Sequence, residues 1–321
     1  MRYALAIDIG GTKIAAGIVN HRGKIIYKYI EPTNSRANSQ DFSDCLKRII
    51  RHTIKASGFY LRGSDHREGQ TLKKNHLDSQ IIGVGIGAPG PLDIKRGKII
   101  FAPNLPKLKN FSIIQPLKKE FGLEVILEND ANAAALAEWM FGAGKGTSNI
   151  IYLTISTGIG AGIIIDGQIY HGQGNAGEIG HTIISPNGPI CGCGNYGCLE
   201  IFASGKAISR QWKNATGRQL DSKLIFQLAR KGDKKAKKII EKSLAILGFG
   251  LVNIIHIFHP DKIILGGGMM RDADLILPFL RKFVRLKVMP GFKKNIKIEK
   301  AKLGDDVGLI GAAAILFNRF K

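Results

Sequence analysis

The sequence lacks the long apolar segments of membrane and secreted proteins. No apolar run approaches the length that a bilayer-spanning helix needs, and the amino-terminal apolar segment reaches Asp8 before a secretory leader is complete. Cysteine is also rare, with four residues in 321. We therefore expect a cytoplasmic protein without membrane contact, in which clustered cysteines stay reduced and bind metal more often than they pair.

Acidic residues are scarce beside basic ones. Asp and Glu number 25 against 47 Lys and Arg, which gives a formal net charge of +22. Such a charge suits a nucleic-acid-binding protein, but the cations are dispersed, and the cluster at residues 230–238 has the pattern of a solvated helix face. We therefore expect a generally basic protein or one with anionic substrates. The composition is equally compatible with heat adaptation.

The chain is long enough for two hydrophobic cores, and one pattern of strands occurs twice. Its 321 residues exceed what a single core usually supports. Residues 3–19 predict strand, glycine turn and strand, and residues 149–165 repeat that order. We predict an amino-terminal α/β lobe over 1–126, a larger carboxyl-terminal α/β lobe over 127–304, and a helix over 305–321 that packs back on the first lobe. The basic stretch 58–80 is predicted to be a surface insert.

Glycine turns follow three of the predicted strands. Their exposed backbone N–H groups form concave anion sites that phosphate oxygens can approach closely, and a carboxylate at a strand end can hold Mg²⁺ through water. The turn after Asp8 or the turn at Thr157, taken alone, is more typical of an ordinary hairpin, but both together with the third turn at Gly266–Gly268 indicate a nucleotide site. The candidate nucleotide and Mg²⁺ residues are Asp8, Gly10, Gly11, Thr12, Lys13, Thr157, Gly158, Gly266, Gly267 and Gly268.

Asp130 lies where a predicted strand ends and an alanine-rich helix begins. A carboxylate in this position is usually a helix cap. The alternative is a general base, because ligands of α/β folds gather at the carboxyl ends of strands and an aspartate can take the proton of an attacking alcohol. Taken alone, the stretch favours the cap.

Six motifs occur in an order that resembles the ROK family of bacterial and archaeal sugar kinases and related repressors. They are Asp8-Ile-Gly-Gly-Thr-Lys13, Glu128-Asn-Asp-Ala-Asn132, Thr157-Gly-Ile-Gly-Ala-Gly162, Gly177-Glu-Ile-Gly-His181, Cys191-Gly-Cys-Gly-Asn-Tyr-Gly-Cys-Leu-Glu200 and Leu265-Gly-Gly-Gly268. The resemblance spans nearly the whole chain, and only the stretch around 58–80 departs from it.

This resemblance implies an α/β, two-lobed, actin-like (ribonuclease H-like) sugar kinase fold with a central cleft for ATP, Mg²⁺ and a hexose. It implies that Asp130 is the catalytic base. It also implies that the protein transfers phosphate from ATP to the 6-hydroxyl of a hexose, with glucose as the leading candidate for that hexose. A homodimer or homotetramer is expected. The sugar hydroxyls would be held by Gly90, Asn104, Asn129, Asp130, Glu178, His181 and Glu200.

Three of the four cysteines lie within residues 191–198. Tetrahedral zinc needs four nitrogen or sulfur ligands, and His181 stands ten residues before Cys191, which gives the pattern His-x9-Cys-x-Cys-x4-Cys. A disulfide is the alternative, but it leaves one thiol over and requires an oxidising compartment. We predict a structural zinc held by His181, Cys191, Cys193 and Cys198, which fixes the His181 ring and the loop with Glu178 and Glu200.

Other substrates and functions stay open, and the remotest of them is a non-enzymatic sugar sensor without ATP turnover. Fructose, mannose, N-acetylglucosamine and N-acetylmannosamine are alternatives to glucose, although the Gly-Ala-Pro-Gly-Pro turn and the full cysteine cluster resemble the glucokinase-type members. A sugar-responsive repressor of the same family is the second class. The net charge favours it, whereas a phosphate-binding strand that begins at residue 3 and the retained Asp130 oppose it.

Overall fold

The computed structural model describes residues 1–59, 80–102 and 105–320. They form two compact units, each assembled from separate stretches of the chain. Unit 1 comprises Met1–Phe141, His171–Asn175 and Asp305–Lys321, and unit 2 comprises Gly142–Tyr170 and Ala176–Gly304. The first unit therefore continues 15 residues past the predicted boundary at 126, from 127 to 141. The strand Val125–Asn129 spans that boundary and belongs to the first sheet, and the helix after it packs in the same unit.

The secondary structure is mixed α/β. The strands are β1 (Arg2–Ile9), β2 (Lys13–Asn20), β3 (Ile25–Pro32), β4 (Gln80–Ala88), β5 (Leu92–Asp93), β6 (Lys98–Ile99), β7 (Phe111–Ser112), β8 (Val125–Asn129), β9 (Ile150–Ile155), β10 (Ile159–Ile165), β11 (Gln168–Ile169), β12 (Lys262–Gly266) and β13 (Ile298–Lys300). The helices are α1 (Ser39–Ser57), α2 (Ile114–Phe121), α3 (Asp130–Phe141), α4 (Leu199–Ala203), α5 (Gly205–Thr216), α6 (Ser222–Arg230), α7 (Lys234–Phe258), α8 (Ala273–Lys287) and α9 (Val307–Arg319).

Both units contain a five-stranded sheet of the same design. In unit 1 the order is β3-β2-β1-β4-β8, with β1, β2 and β3 antiparallel and with β4 and β8 parallel to β1. In unit 2 the order is β11-β10-β9-β12-β13, again with three antiparallel strands followed by two parallel ones. The repeated strand–glycine–strand pattern of the sequence therefore corresponds to a repeated topology. The parallel strands of each sheet end at one common edge.

Helix α1 covers one side of the unit 1 sheet with its apolar face. Phe42, Leu46, Ile49 and Ile50 are buried in the unit 1 core, as their helical spacing predicts. The helix ends at Gly58, whose left-handed backbone suits glycine. The next residue, Phe59, is 1% exposed. The start of the predicted insert 58–80 is therefore part of the fold, as is Gln80, which begins β4; residues 60–79 lie outside the described residues.

Helix α9 packs against β1, β4 and α3 in unit 1. Gly85 of β4 permits this contact, because a Cβ atom there would overlap the carbonyl oxygen of Ala312. Ala312, Ala313 and Leu316 join a small-residue cluster with the outer face of β1. The predicted terminal helix thus supplies the second face of the unit 1 sheet.

Among the residues that the structure describes, α7 is the one helix that combines great length with an apolar composition. Its 25 residues are long and apolar enough to cross a membrane by length and composition, but most of its apolar window is buried. Leu244, Leu247, Leu251 and Ile255 belong to the core of unit 2. We therefore interpret α7 as the central core helix of that unit.

Candidate functional site

The carboxyl edge of the unit 1 sheet brings two predicted site carboxylates to either side of one glycine. Asp8 of β1 is paired with Gly87 of β4, and Gly87 with Glu128 of β8. A Cβ atom built on Gly87 would lie 3.9 Å from Asp8 Oδ1 and 3.9 Å from the Cα atom of Asp130. The missing side chain at position 87 thus leaves the space between Asp8 and the start of α3 open.

The Asp8 carboxyl lies at the edge of the core, beside the amino-terminal turn of α9. A Cβ atom on Gly308 would overlap this carboxylate, so the glycine is required for the approach. Burial raises the pKa of Asp8 from the usual 3.8 to about 6, against the opposing effect of Lys13 and Lys28. A nearby cation such as Mg²⁺ would favour the ionised form.

The glycine turn after β1 has the geometry of a tight hairpin. Gly10 N–H donates to the carbonyl oxygen of Lys13 at 2.9 Å, and Thr33 Oγ1 donates to the carbonyl of Gly10 at 2.8 Å. Thr12 and Lys13 are exposed. The turn therefore presents a hydroxyl and an ammonium group to solvent at the same sheet edge as Asp8.

Asn129 and Asp130 begin α3 in the manner of a helix cap. Asn129 Oδ1 accepts the N–H groups of Ala131 at 2.9 Å and Asn132 at 3.2 Å, while Asp130 Oδ1 accepts the N–H of Ala131 at 2.7 Å. Asn129 therefore performs most of the capping. A Cβ atom on Gly90 would lie 3.3 Å from Asn129 Nδ2, so these two predicted sugar-binding residues are neighbours.

Glu128 and His171 form a contact that the sequence analysis did not anticipate. Glu128 is 3% exposed, and its Oε2 accepts a hydrogen bond from His171 Nε2 at 2.7 Å. The hydrogen bond to Glu128 raises the pKa of His171. His171 follows β11 in a glycine-rich stretch, and no periodicity or spacing connects it with a residue 43 positions earlier.

In unit 2, the predicted nucleotide turns also meet at one sheet edge. Strands β9 and β12 are parallel neighbours, so the turn with Thr157 and Gly158 lies beside the turn at 266–268. A Cβ atom on Gly268 would lie 3.3 Å from Ser156 Oγ, and one on Gly267 would lie 2.6 Å from the carbonyl oxygen of Ile155. Gly267 has a φ of +84°, which favours glycine.

Glu200 lies against the same edge of unit 2. Its Oε2 accepts the N–H of Ile159 at 2.8 Å. A Cβ atom on Gly158 would overlap the Glu200 carboxylate, so glycine at 158 is a packing requirement. Glu200 is thus in contact with the turn that the sequence analysis assigned to the nucleotide.

The four predicted metal ligands of unit 2 lie together. The ligand atoms of His181, Cys191, Cys193 and Cys198 are all within 4.8 Å of one another. Cys191 Sγ is 3.6 Å from His181 Nδ1, and Cys193 Sγ is 3.6 Å from Cys198 Sγ. All three cysteines are free thiols, so the disulfide alternative is not formed.

The two separations of 3.6 Å fit a tetrahedral zinc ion. Zn–S bonds of about 2.3 Å and Zn–N bonds of about 2.1 Å place ligand atoms roughly 3.6–3.8 Å apart in a tetrahedron. Burial raises the pKa of the Cys198 thiol to about 12, so its thiolate needs a cation beside it. His181 Nε2 points the other way, 4.0 Å from Glu178 Oε2. One ring nitrogen is thus available to a metal and the other to a ligand of the loop.

The structure therefore brings most predicted site residues into two groups, one in each unit. Asp8, the 10–13 turn, Gly90, Asn129 and Asp130 share the carboxyl edge of the unit 1 sheet. Glu178, His181, Glu200 and the glycine turns belong to unit 2. Asn104 lies outside the described residues, so its predicted contact with a sugar stays a prediction.

Comparison with known proteins gives consistent matches. Residues 70–319 match the model of the ROK family. The glucokinase of Thermotoga maritima is 35% identical over 98% of this chain and 97% of its own length, and the xylose repressor of Caldicellulosiruptor bescii is 34% identical over 98% of this chain and 78% of its own. A ROK family glucokinase from Streptomyces griseus, solved with glucose and AMPPNP, is 33% identical with a TM-score of 0.78 over 98% of both chains. These matches confirm the predicted actin-like α/β fold class.

Proposed function

The chain belongs to the ROK family, and we propose that it is an ATP-dependent kinase that phosphorylates the 6-hydroxyl of a hexose, with glucose as the preferred substrate. The glucokinase relative aligns with almost the entire chain. The placement of Asp8 and Asp130 beside the open space at Gly87 supports the proposal most directly, because a kinase needs a metal-binding group and a base near the transferred phosphate.

In the proposed reaction, Asp130 accepts the proton of the sugar hydroxyl while the hydroxyl oxygen attacks the γ-phosphorus of ATP. The bond between that phosphorus and the oxygen bridging to the β-phosphate breaks, and ADP leaves. The carboxylate orients the hydroxyl and removes its proton. Asn129 supplies the main side-chain cap of α3, and Asp130 stands beside it as the first residue of that helix.

We assign the binding of ATP and Mg²⁺ to the glycine turns and to Asp8. A Mg²⁺ ion held by Asp8 would offset the burial of its carboxylate, and the N–H groups of the turns would bind phosphate oxygens. The residues proposed to contact the hexose are Gly90, Asn104, Asn129, Asp130, Glu178, His181 and Glu200. An epimer that fails to pair such polar groups is penalised.

We propose zinc as the ion of the His181 and cysteine cluster. A site with four protein ligands has no open position, so the ion has a structural role. The orientation of His181, with Nδ1 toward Cys191 and Nε2 toward Glu178, supports this assignment. In this role the cluster fixes the loop, and the loop holds His181 and Glu178 in position for the sugar.

A sugar-responsive repressor is the second candidate. Two observations favour it, the net charge of +22 and the 34% identity to a xylose repressor. A gel-shift titration at low and moderate salt tests it, because sequence-independent binding weakens steeply as salt rises. Sequence-selective binding that a sugar releases would favour the repressor over the kinase.

A coupled ADP-release assay across a hexose panel tests the kinase proposal. We expect turnover with glucose, and a loss of at least about a hundredfold in kcat for Asp130→Ala with part of the glucose binding retained. Near-normal turnover of this variant would remove Asp130 from its role.

We further propose a cytoplasmic homodimer or homotetramer, which sedimentation equilibrium distinguishes from a monomer.

A further inference from the structure

The peptide that carries Asp130 is anchored by the buried carboxylate of Glu128, two residues earlier in the chain. Glu128 Oε1 accepts the N–H of Asn129 at 2.9 Å and the side-chain amide of Asn132 at 3.0 Å. Glu128 therefore grips the backbone just before Asp130 and the side chain two residues after it. A carboxylate that is 3% exposed is costly to bury unless hydrogen bonds satisfy both of its oxygens.

His171 supplies the donor to the second oxygen. A carboxylate can only accept, so His171 Nε2 is the donor in the 2.7 Å contact with Glu128 Oε2. The His171 side chain is 37% exposed, against 4% for that of Glu128, so one end of the pair is accessible to solvent. The histidine comes from the short stretch His171–Asn175, which belongs to unit 1 although its chain neighbours belong to unit 2.

We propose that His171 is a positioning residue for phosphoryl transfer: it holds the Glu128 carboxylate in its orientation, and Glu128 in turn fixes the peptide that presents Asp130. This role rests on the proposed kinase function. Without the His171 donor, one oxygen of a buried carboxylate loses the hydrogen bond that the histidine gives it, so the Glu128 side chain turns toward another donor. That rotation releases the Asn129 N–H or the Asn132 amide and lets Asp130 move.

The chain offers a matched control within the same five-residue stretch. Asn175 Oδ1 accepts the N–H of Leu92 at 3.2 Å, so Asn175 also ties the stretch to unit 1 without contacting Glu128. Asn175→Ala weakens that tie and leaves the carboxylate pair intact. His171→Gln is the conservative variant, because its Nε2 atom can donate where the histidine Nε2 did.

Steady-state kinetics of the full-length protein separates the roles. We expect His171→Ala to lower kcat on the order of ten- to a hundredfold, with KM for ATP and the melting temperature nearly unchanged. His171→Gln should recover most of kcat, and Asn175→Ala should stay within about threefold of the wild type. A normal kcat for His171→Ala, or an equal loss in Asn175→Ala, overturns the positioning role.

A second measurement does not depend on any substrate. An NMR titration of the His171 ring should give a pKa above the usual value in the wild type and a lower one in Glu128→Gln. An unchanged His171 pKa in that variant means that the pair does not couple in solution and overturns the inference. If the pKa responds but no hexose is phosphorylated, the pair stands and the proposed function fails instead.

Discussion

Glu200 Oε2 accepts the backbone N–H of Ile159 at 2.8 Å. Glu200 itself stands two residues after Cys198, a member of the cysteine cluster. The carboxylate therefore connects the cysteine loop with the turn that follows β9. A residue that the family resemblance assigns to the sugar thus also supports a turn assigned to the nucleotide. Within unit 2, a substitution that displaces the turn after β9 should therefore also displace Glu200.

Gly158→Ala tests this connection. The added Cβ atom would overlap the Glu200 carboxylate and must displace it from Ile159. We expect KM to rise about tenfold or more for both glucose and ATP. Gly291→Ala is the matched control, since no atom lies within 4 Å of a Cβ atom there. A rise in the ATP KM alone would show that Glu200 has no part in sugar binding.

Loss of the metal cluster should weaken sugar binding first. Cys193→Ser and Cys198→Ser remove ligands, and we expect less than one zinc per chain by elemental analysis and a glucose KM raised more than the ATP KM. Cys45→Ser is the control, because Cys45 lies in unit 1 beside Glu31. A zinc-free protein that binds glucose normally would contradict the structural role.

The buried carboxylate of Asp8 should lower the stability of the protein at neutral pH while supporting its activity. Its folded pKa of about 6 exceeds the usual 3.8, so the folded state binds the proton more tightly than the unfolded state does. This contribution to stability is complete below about pH 4 and is lost as the pH rises through 6. Asp8→Asn should remove that dependence and melt at pH 7.5 no lower than the wild type, while its Mg²⁺-dependent turnover collapses. Thermal melting from pH 4 to 7.5 measures the first effect, and a lower melting temperature for the variant would contradict it.

Gly85→Ala should destabilise unit 1. A Cβ atom at 85 would overlap the Ala312 carbonyl oxygen and push α9 away from β4. Overpacking of this kind costs about 1–3 kcal/mol, occasionally more. Gly87→Ala, on the same face two residues later, meets its nearest neighbour at 3.8 Å and should keep the free energy of unfolding in urea titrations.

The strands, the glycine turns and the clustering of three cysteines could be predicted because each has a local signal. Apolar runs ending in glycine marked β1, β9 and β12, and the spacing of Cys191, Cys193 and Cys198 marked the cluster. The boundary at 126 fell short because the pairing of β8 with β4 is a long-range property that no local composition shift accompanies. His171 was missed for the same reason. The fold brings it to Glu128, 43 residues earlier, and the glycine-rich sequence around His171 does not indicate this contact.

The position of α9 has a consequence for biosynthesis. The apolar cluster formed by Leu309, Ala312, Ala313 and Leu316 under β1 comes from a part of the chain that follows every segment of unit 2. The unit 1 sheet therefore keeps this apolar face uncovered until α9 has been translated. A nascent chain stalled before α9 should be a preferred client of chaperones that bind exposed apolar strands.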